Sequence, residues 1–80
     1  MKINILAFGI AKDIINNSQL EIEMTDGETV GQLKTQLINQ FPDFKRLQSL
    51  SIAVNEEYQT DDFLLHEKDE IVIIPPVSGG

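Results

Sequence analysis

Both ends of this 80-residue chain carry a segment suited to the middle of a β-sheet. Near the start, Lys2–Phe8 (KINILAF) is rich in β-branched and aromatic residues and stops at Gly9. Near the end, Glu70–Ile74 (EIVII) is continuously apolar after its first residue and stops at Pro75-Pro76. A strand with apolar residues at successive positions buries both faces, so it belongs inside a sheet rather than at an edge. The two most apolar strands thus stand at opposite ends of a short chain, whose termini commonly lie close together. They are expected to be neighbours at the sheet centre, with everything between them flanking or covering that pair.

The intervening sequence supplies the cover. Ala11–Asn17 suits a helical turn before Asn16-Asn17, two residues that tolerate left-handed geometry. Gln19–Met24 alternates strictly, with Leu20, Ile22 and Met24 on one face and Gln19, Glu21 and Glu23 on the other, as in a strand beside water. After the Asp26-Gly27 turn, Thr29 stands three residues before Gln32, the spacing of a capping box, so a helix should begin near Val30. Val30, Leu33, Leu37 and Phe41 recur at helical spacing, Ile38 widens the stripe, and Pro42 disfavours helix at the residue before it. Phe44, Leu47 and Leu50 suggest a short helical turn leading into a strand at Ser51–Val54. Asn55-Glu56-Glu57 reads as a tight turn into a brief strand at Tyr58. The loop that follows, 60–70, should tuck Phe63, Leu64 or Leu65 inward. This order of elements predicts an α+β domain of the β-grasp, ubiquitin-like kind, a mixed sheet covered by one main helix. The expected division is residues 1–76 for the domain and 77–80 for a flexible, extended tail.

Eighty residues suffice for one such domain and not for two. The chain has no cysteine, which removes disulfides, thiolate metal sites, a cysteine nucleophile and a side-chain persulfide together. A formal net charge of -7 disfavours nucleic acid and anionic membrane surfaces as partners, since binders of either cluster Lys and Arg. The same acidity favours docking onto a basic protein surface. The apolar stretch behind Met1-Lys2 is too short for a signal peptide or membrane span, so the expected compartment is the cytoplasm. His66 has no second histidine or cysteine beside it and reads as a loop residue. The pairs Glu56-Glu57 and Asp61-Asp62 read as solvated surface rather than acid–base machinery.

Alternation within the two central strands divides them into faces. Ile3, Ile5 and Ala7 share one face of the first, and Ile71 and Ile73 one face of the last. If the helix covers these, Leu6, Phe8, Val72 and Ile74 are left as an apolar patch near the tail, with Tyr58 beside them. Exposed apolar patches of this kind mark partner sites.

The tail itself is Pro75-Pro76-Val77-Ser78-Gly79-Gly80. Taken alone, a diglycine end could be a frayed terminus. A double proline before it fixes the backbone direction, so the last four residues are launched away from the sheet. Extended, they reach about 13–14 Å, enough to enter a neighbour's cleft. Gly79-Gly80 lacks side chains that would plug a narrow channel.

Phe8-Gly9 closing the first strand, Ala53-Val54-Asn55 before the tight turn, Asp69-Glu70 opening the last strand and the Pro-Pro-Val-Ser-Gly-Gly ending together resemble the MoaD family, the small subunits of molybdopterin synthase. The resemblance covers the whole chain, and the ending is its most specific element. It implies a sulfur carrier that is not catalytic alone and binds no cofactor. Its Gly80 carboxylate would be adenylated by a ubiquitin-activating-like enzyme using ATP and sulfurated to a thiocarboxylate. The tail, Pro75 to Gly79, would then insert into a large subunit, in a two-by-two heterotetramer, to deliver sulfur to a cyclic pterin precursor. The chemistry is coherent, because an ionised carboxylate is a poor electrophile and needs a leaving group before sulfur can replace oxygen. Two further classes remain open at this point: a carrier for another pathway (thiazole-type) or a ubiquitin-like modifier, and a β-grasp interaction module with an incidental diglycine.

Overall fold

The computed structural model describes residues 1–47 and 50–74. Five strands form one mixed sheet in the order β2-β1-β5-β3-β4. The strands are β1 (Lys2–Ala7), β2 (Gln19–Glu23), β3 (Ser51–Val54), β4 (Glu57–Tyr58) and β5 (Ile71–Ile74). The two apolar end segments are neighbours, as expected: β5 is the middle strand, parallel to β1 and antiparallel to β3. This is the β-grasp arrangement.

One face of the sheet carries the core. Ile3, Ile5 and Ala7 of β1, Ile22 of β2, Ile52 and Val54 of β3, and Ile71 and Ile73 of β5 are all buried there. Helix α2 (Val30–Gln40) packs Val30, Leu33 and Leu37 against them, each fully buried. Burying a leucine of this kind contributes about 1.5–3 kcal/mol. The capping box is present in both directions, with the Gln32 N–H donating to Thr29 Oγ1 and the Thr29 N–H donating to Gln32 Oε1. The next two free N–H groups at this helix start, from Val30 and Gly31, donate to the carbonyls of Phe63 (2.9 Å) and Asp61 (2.8 Å). The helix start and the 60–70 loop therefore hold each other. Gly31 allows the approach, since a Cβ there would stand 3.2 Å from both Cβ and the carbonyl oxygen of Asp61. Lys34 Nζ bonds the Asp61 carboxylate at 2.7 Å on the outside of the same junction.

Three local expectations shift, and the 60–70 loop selects among the three residues expected to tuck inward. Phe8 does not extend β1 but is the N-cap of a two-turn helix, α1 (Gly9–Ile15), which buries Ala11 and Ile15 and gives the sheet a second helical cover beside α2. Gly9, at φ +56, makes the bend that a β-carbon would strain, and Asn16, at φ 61, ends the helix in the left-handed conformation. The second helical turn is a 3-10 helix, η1 (Pro42–Arg46), set earlier than the Phe44–Leu50 spacing suggested because Pro42 opens it. In the 60–70 loop the inward residue is Leu65, with Phe63 half-buried, while Leu64 stays exposed. Lastly, β5 begins at Ile71, because the Glu70 N–H bonds an asparagine side chain instead of a strand. Among the described residues no helix is long and apolar enough to cross a membrane.

Candidate functional site

Among the described residues no helix covers the outward face of the sheet, and register decides what that face displays. Directly paired residues point to the same side of a sheet. The pairs Leu6↔Val72, Val72↔Ala53 and Ala53↔Tyr58 therefore form one row running across four strands. Ile74, paired with Ser51, stands one step further along on the same face. Phe8 follows Ala7 in extended conformation (φ -130, ψ 161), which keeps it on the side of Leu6, and it is 59% exposed. Tyr58 is 69% exposed, while Leu6, Val72 and Ile74 are half-buried and stand apart from the core cluster and the residues packed on it. The fold thus brings together the four residues that alternation assigns to the patch, and Tyr58 joins them through its pairing with Ala53.

Ala53 is the member that sequence reasoning missed. It is 6% exposed yet outside the core cluster, lying between Val72 and Tyr58 as the floor of the row. Nothing in the sequence near Ala53 signals this, since its role depends on which strands flank β3.

Beside Leu6 the patch drops into an open concavity of about 660 Å³ with Asn4, Gln19, Glu21, Asp69 and Glu70 on its walls. Glu21 and Glu23 of the edge strand β2 share the outward face, with Lys2 3.8 Å from Glu21 as a surface pair. The site is therefore apolar at the centre and acidic along one flank, which suits a partner that is apolar with a basic border.

A second feature explains why Val54-Asn55 and Asp69-Glu70 occur together. Asn55 sits at φ 52 in the turn between β3 and β4 and binds the entry of β5 three times. Its backbone N–H donates to the Glu70 carbonyl at 2.8 Å, its Oδ1 accepts from the Glu70 N–H at 3.0 Å, and its Nδ2 donates to Asp69 Oδ1 at 3.0 Å. The other carboxylate oxygen of Asp69 accepts from the His66 N–H at 2.8 Å. These four residues form a clamp that fixes where β5 begins, and the chain beyond Ile74 starts from the other end of that short strand. His66 is part of this turn, with an exposed ring. Among the described residues no group of three or more His, Asp or Glu side chains is placed to hold a metal ion. Pro75, Pro76, Val77, Ser78, Gly79 and Gly80 lie outside the described residues, as does the expected boundary at residue 76.

A central last strand, an apolar face beside it that no described helix covers and a clamp at its entry can be compared with known proteins. The family model described as "ThiS family" matches residues 5–80, which includes the whole tail. The chain belongs to the ThiS family. Within this family, the MoaD resemblance of the sequence is supported over its full length: the molybdopterin synthase sulfur carrier subunit of Arabidopsis thaliana is 35% identical over 81 residues, covering 100% of this chain and 84% of that protein. Among solved structures, small archaeal modifier protein 1 of Haloferax volcanii superposes with a TM-score of 0.82 at 16% identity, over 95% of this ThiS-family chain and 98% of that one, a likeness of fold. The Helicobacter pylori complex of subunits 1 and 2 of molybdopterin-converting factor contains a chain with a TM-score of 0.67 at 25% identity, over 100% of both.

Proposed function

We propose that this chain is the sulfur-carrying small subunit of a molybdopterin synthase, with the Gly80 carboxylate as its working group. The observation that carries the reading is the full-length match to carrier subunits, which runs through the diglycine end. The domain, residues 1–76, serves as a handle, and residues 77–80 as the extended arm that carries sulfur. An activating enzyme of the ubiquitin-activating kind joins the Gly80 carboxylate to the α-phosphoryl group of ATP with loss of pyrophosphate. A sulfur nucleophile then displaces AMP at the carbonyl carbon and leaves a thiocarboxylate. The thiocarboxylate sulfur displaces an oxygen group from a carbon of the cyclic pterin precursor to give an acyl-thio intermediate, and water then hydrolyses the carbonyl–sulfur bond, leaving sulfur on the pterin and releasing the chain as its carboxylate. One chain carries one sulfur, so a dithiolene product needs two chargings. The chain supplies no catalytic side chain of its own. Its partners are the large subunit, two-by-two, and the adenylyltransferase, all in the cytoplasm.

The apolar row Leu6, Val72, Ala53 and Tyr58, with Phe8 and Ile74, supports this reading as the face that the large subunit covers, because it flanks the strand from which the arm departs. The Helicobacter pylori complex pairs a similar chain with a second subunit. The deciding experiment is intact-mass detection of the thiocarboxylate after incubation with activating enzyme, ATP and a sulfur donor, followed by single-turnover conversion of the precursor with large subunit. Deleting Gly80 is expected to abolish both steps while leaving thermal stability unchanged. Normal charging and turnover by the shortened chain would overturn the proposal and favour an interaction module with an incidental diglycine.

A further inference from the structure

The end of β5 is flanked on both sides by apolar residues, only one of which, Phe8, belongs to the outward patch. On one side β1 runs parallel to β5, with Ala7 opposite Ile73, so Phe8 and the Gly9–Ile10 bend stand level with the last residue of β5 and just beyond it. On the other side Ser51 pairs with Ile74, so Leu50 lies at the same end of the sheet, a few residues after Leu47. These flanks meet on the helical side of the molecule. Ile10 and Ile14 of α1 and Leu47 behind η1 line a shallow hollow of about 260 Å³, with Asp13, Asp43 and Arg46 on its rim. Ile10 is 48% exposed, although its neighbours Ala11 and Ile15 are buried. Asp43 and Arg46 face each other at 3.8 Å, whereas Asp13 has no ion-pair partner among the described residues. Only Gly9 separates Phe8 of the outward patch from Ile10 of this hollow, and both flank the end of the sheet at which β5 finishes with Ile74.

We propose that the hollow formed by Ile10, Ile14 and Leu47 is a second docking shelf for the large subunit, taking an apolar side chain that is accompanied by a Lys or Arg facing Asp13. The inference rests on the preceding functional reading. A subunit that encloses the arm must approach this end of the sheet, where the shelf adjoins the outward patch through the Phe8–Gly9–Ile10 segment. Covering the patch alone would leave Ile10 in water beside a buried contact. Covering both lets the partner grip the exit from two sides and fix the direction of the arm. A lone carboxylate on the rim of an apolar hollow, in a chain of net charge -7, selects a cation beside the apolar group.

The test is calorimetric titration of purified large subunit with the full chain and two variants. Ile10→Asp is expected to keep the circular dichroism spectrum, since an acidic residue in the first turn of a helix is favourable, and to weaken binding by about tenfold or more, the loss typical of an interface anchor. Asp13→Lys is expected to weaken binding several-fold, with the difference from the unaltered chain shrinking at high salt. Unchanged affinity of folded Ile10→Asp would overturn the shelf. Should that variant fail to fold, exposed Asp13 decides alone, and unchanged affinity of Asp13→Lys would overturn the proposal. If the unaltered chain itself does not bind the large subunit, the functional reading falls and takes the shelf with it. A tight parent with tight variants removes the shelf only.

Discussion

The clamp at Asn55 makes a sharp prediction, because one residue there does three separable things. Its Oδ1 accepts from the Glu70 N–H, its Nδ2 donates to the Asp69 carboxylate, and its backbone holds φ 52. Asn55→Ala removes both side-chain bonds and places an alanine in the left-handed region. The two bonds are together worth about 1–2 kcal/mol, allowing for their exposure, and the left-handed alanine costs about 1 kcal/mol more. The expected loss is about 2–3 kcal/mol, or a fall in Tm of about 10–20 °C for a domain of this size. Asn55→Gly removes the same bonds without the backbone strain and should lose about 1 kcal/mol less. Asn55→Asp keeps an acceptor for Glu70 but turns a carboxylate toward Asp69, so it should lose most of the benefit although the shape is preserved. Urea and thermal unfolding of the three variants measure this series. If Asn55→Ala lies within about 0.5 kcal/mol of the parent, the clamp contributes nothing to stability and something else fixes the start of β5.

The neighbouring turn should respond in the opposite sense: Glu56, at φ 73, occupies a position that glycine adopts freely, so Glu56→Gly should raise stability by about 0.5–1 kcal/mol in the same unfolding assay. In the core, Leu33 is fully buried under the sheet, and Leu33→Ala should cost about 3 kcal/mol by denaturant titration, more than the Glu56 change or either shelf variant. On the outward face, Leu6→Asp or Ile74→Asp should leave the circular dichroism spectrum native but weaken capture of the large subunit, because a desolvated charge would lack a partner. Native-strength capture would mean that the large subunit docks elsewhere, whereas unfolding would mean that these side chains support the domain.

Elements with local signals were legible before any tertiary contact was known. The Thr29–Gln32 spacing places the start of α2, the alternation of Gln19–Met24 sets the inner face of β2, and the continuous apolar run Ile71–Ile74 marks a strand inside the sheet rather than at its edge. Leu6, Phe8, Val72 and Ile74 were legible because strand alternation needs no partner to assign a face, whereas the place of Tyr58 depends on the pairing of β4 with β3. Short segments were less so: α1 and η1 are two turns or fewer, so packing rather than periodicity decides where they begin, and Phe8 became a cap instead of a strand residue once Gly9 turned the chain. What lies beside what came from the folded chain alone. The pairing of β5 with both β1 and β3 lines up Leu6, Val72, Ala53 and Tyr58, and the return of the loop to the β3–β4 turn joins Asn55 to Asp69 and Glu70 across 14 and 15 positions of sequence. Alternation sets the side to which a residue points, but its neighbours there come from strands distant in sequence, and their register is fixed by burying Ile3, Ile5, Ile52, Ile71 and Ile73 together.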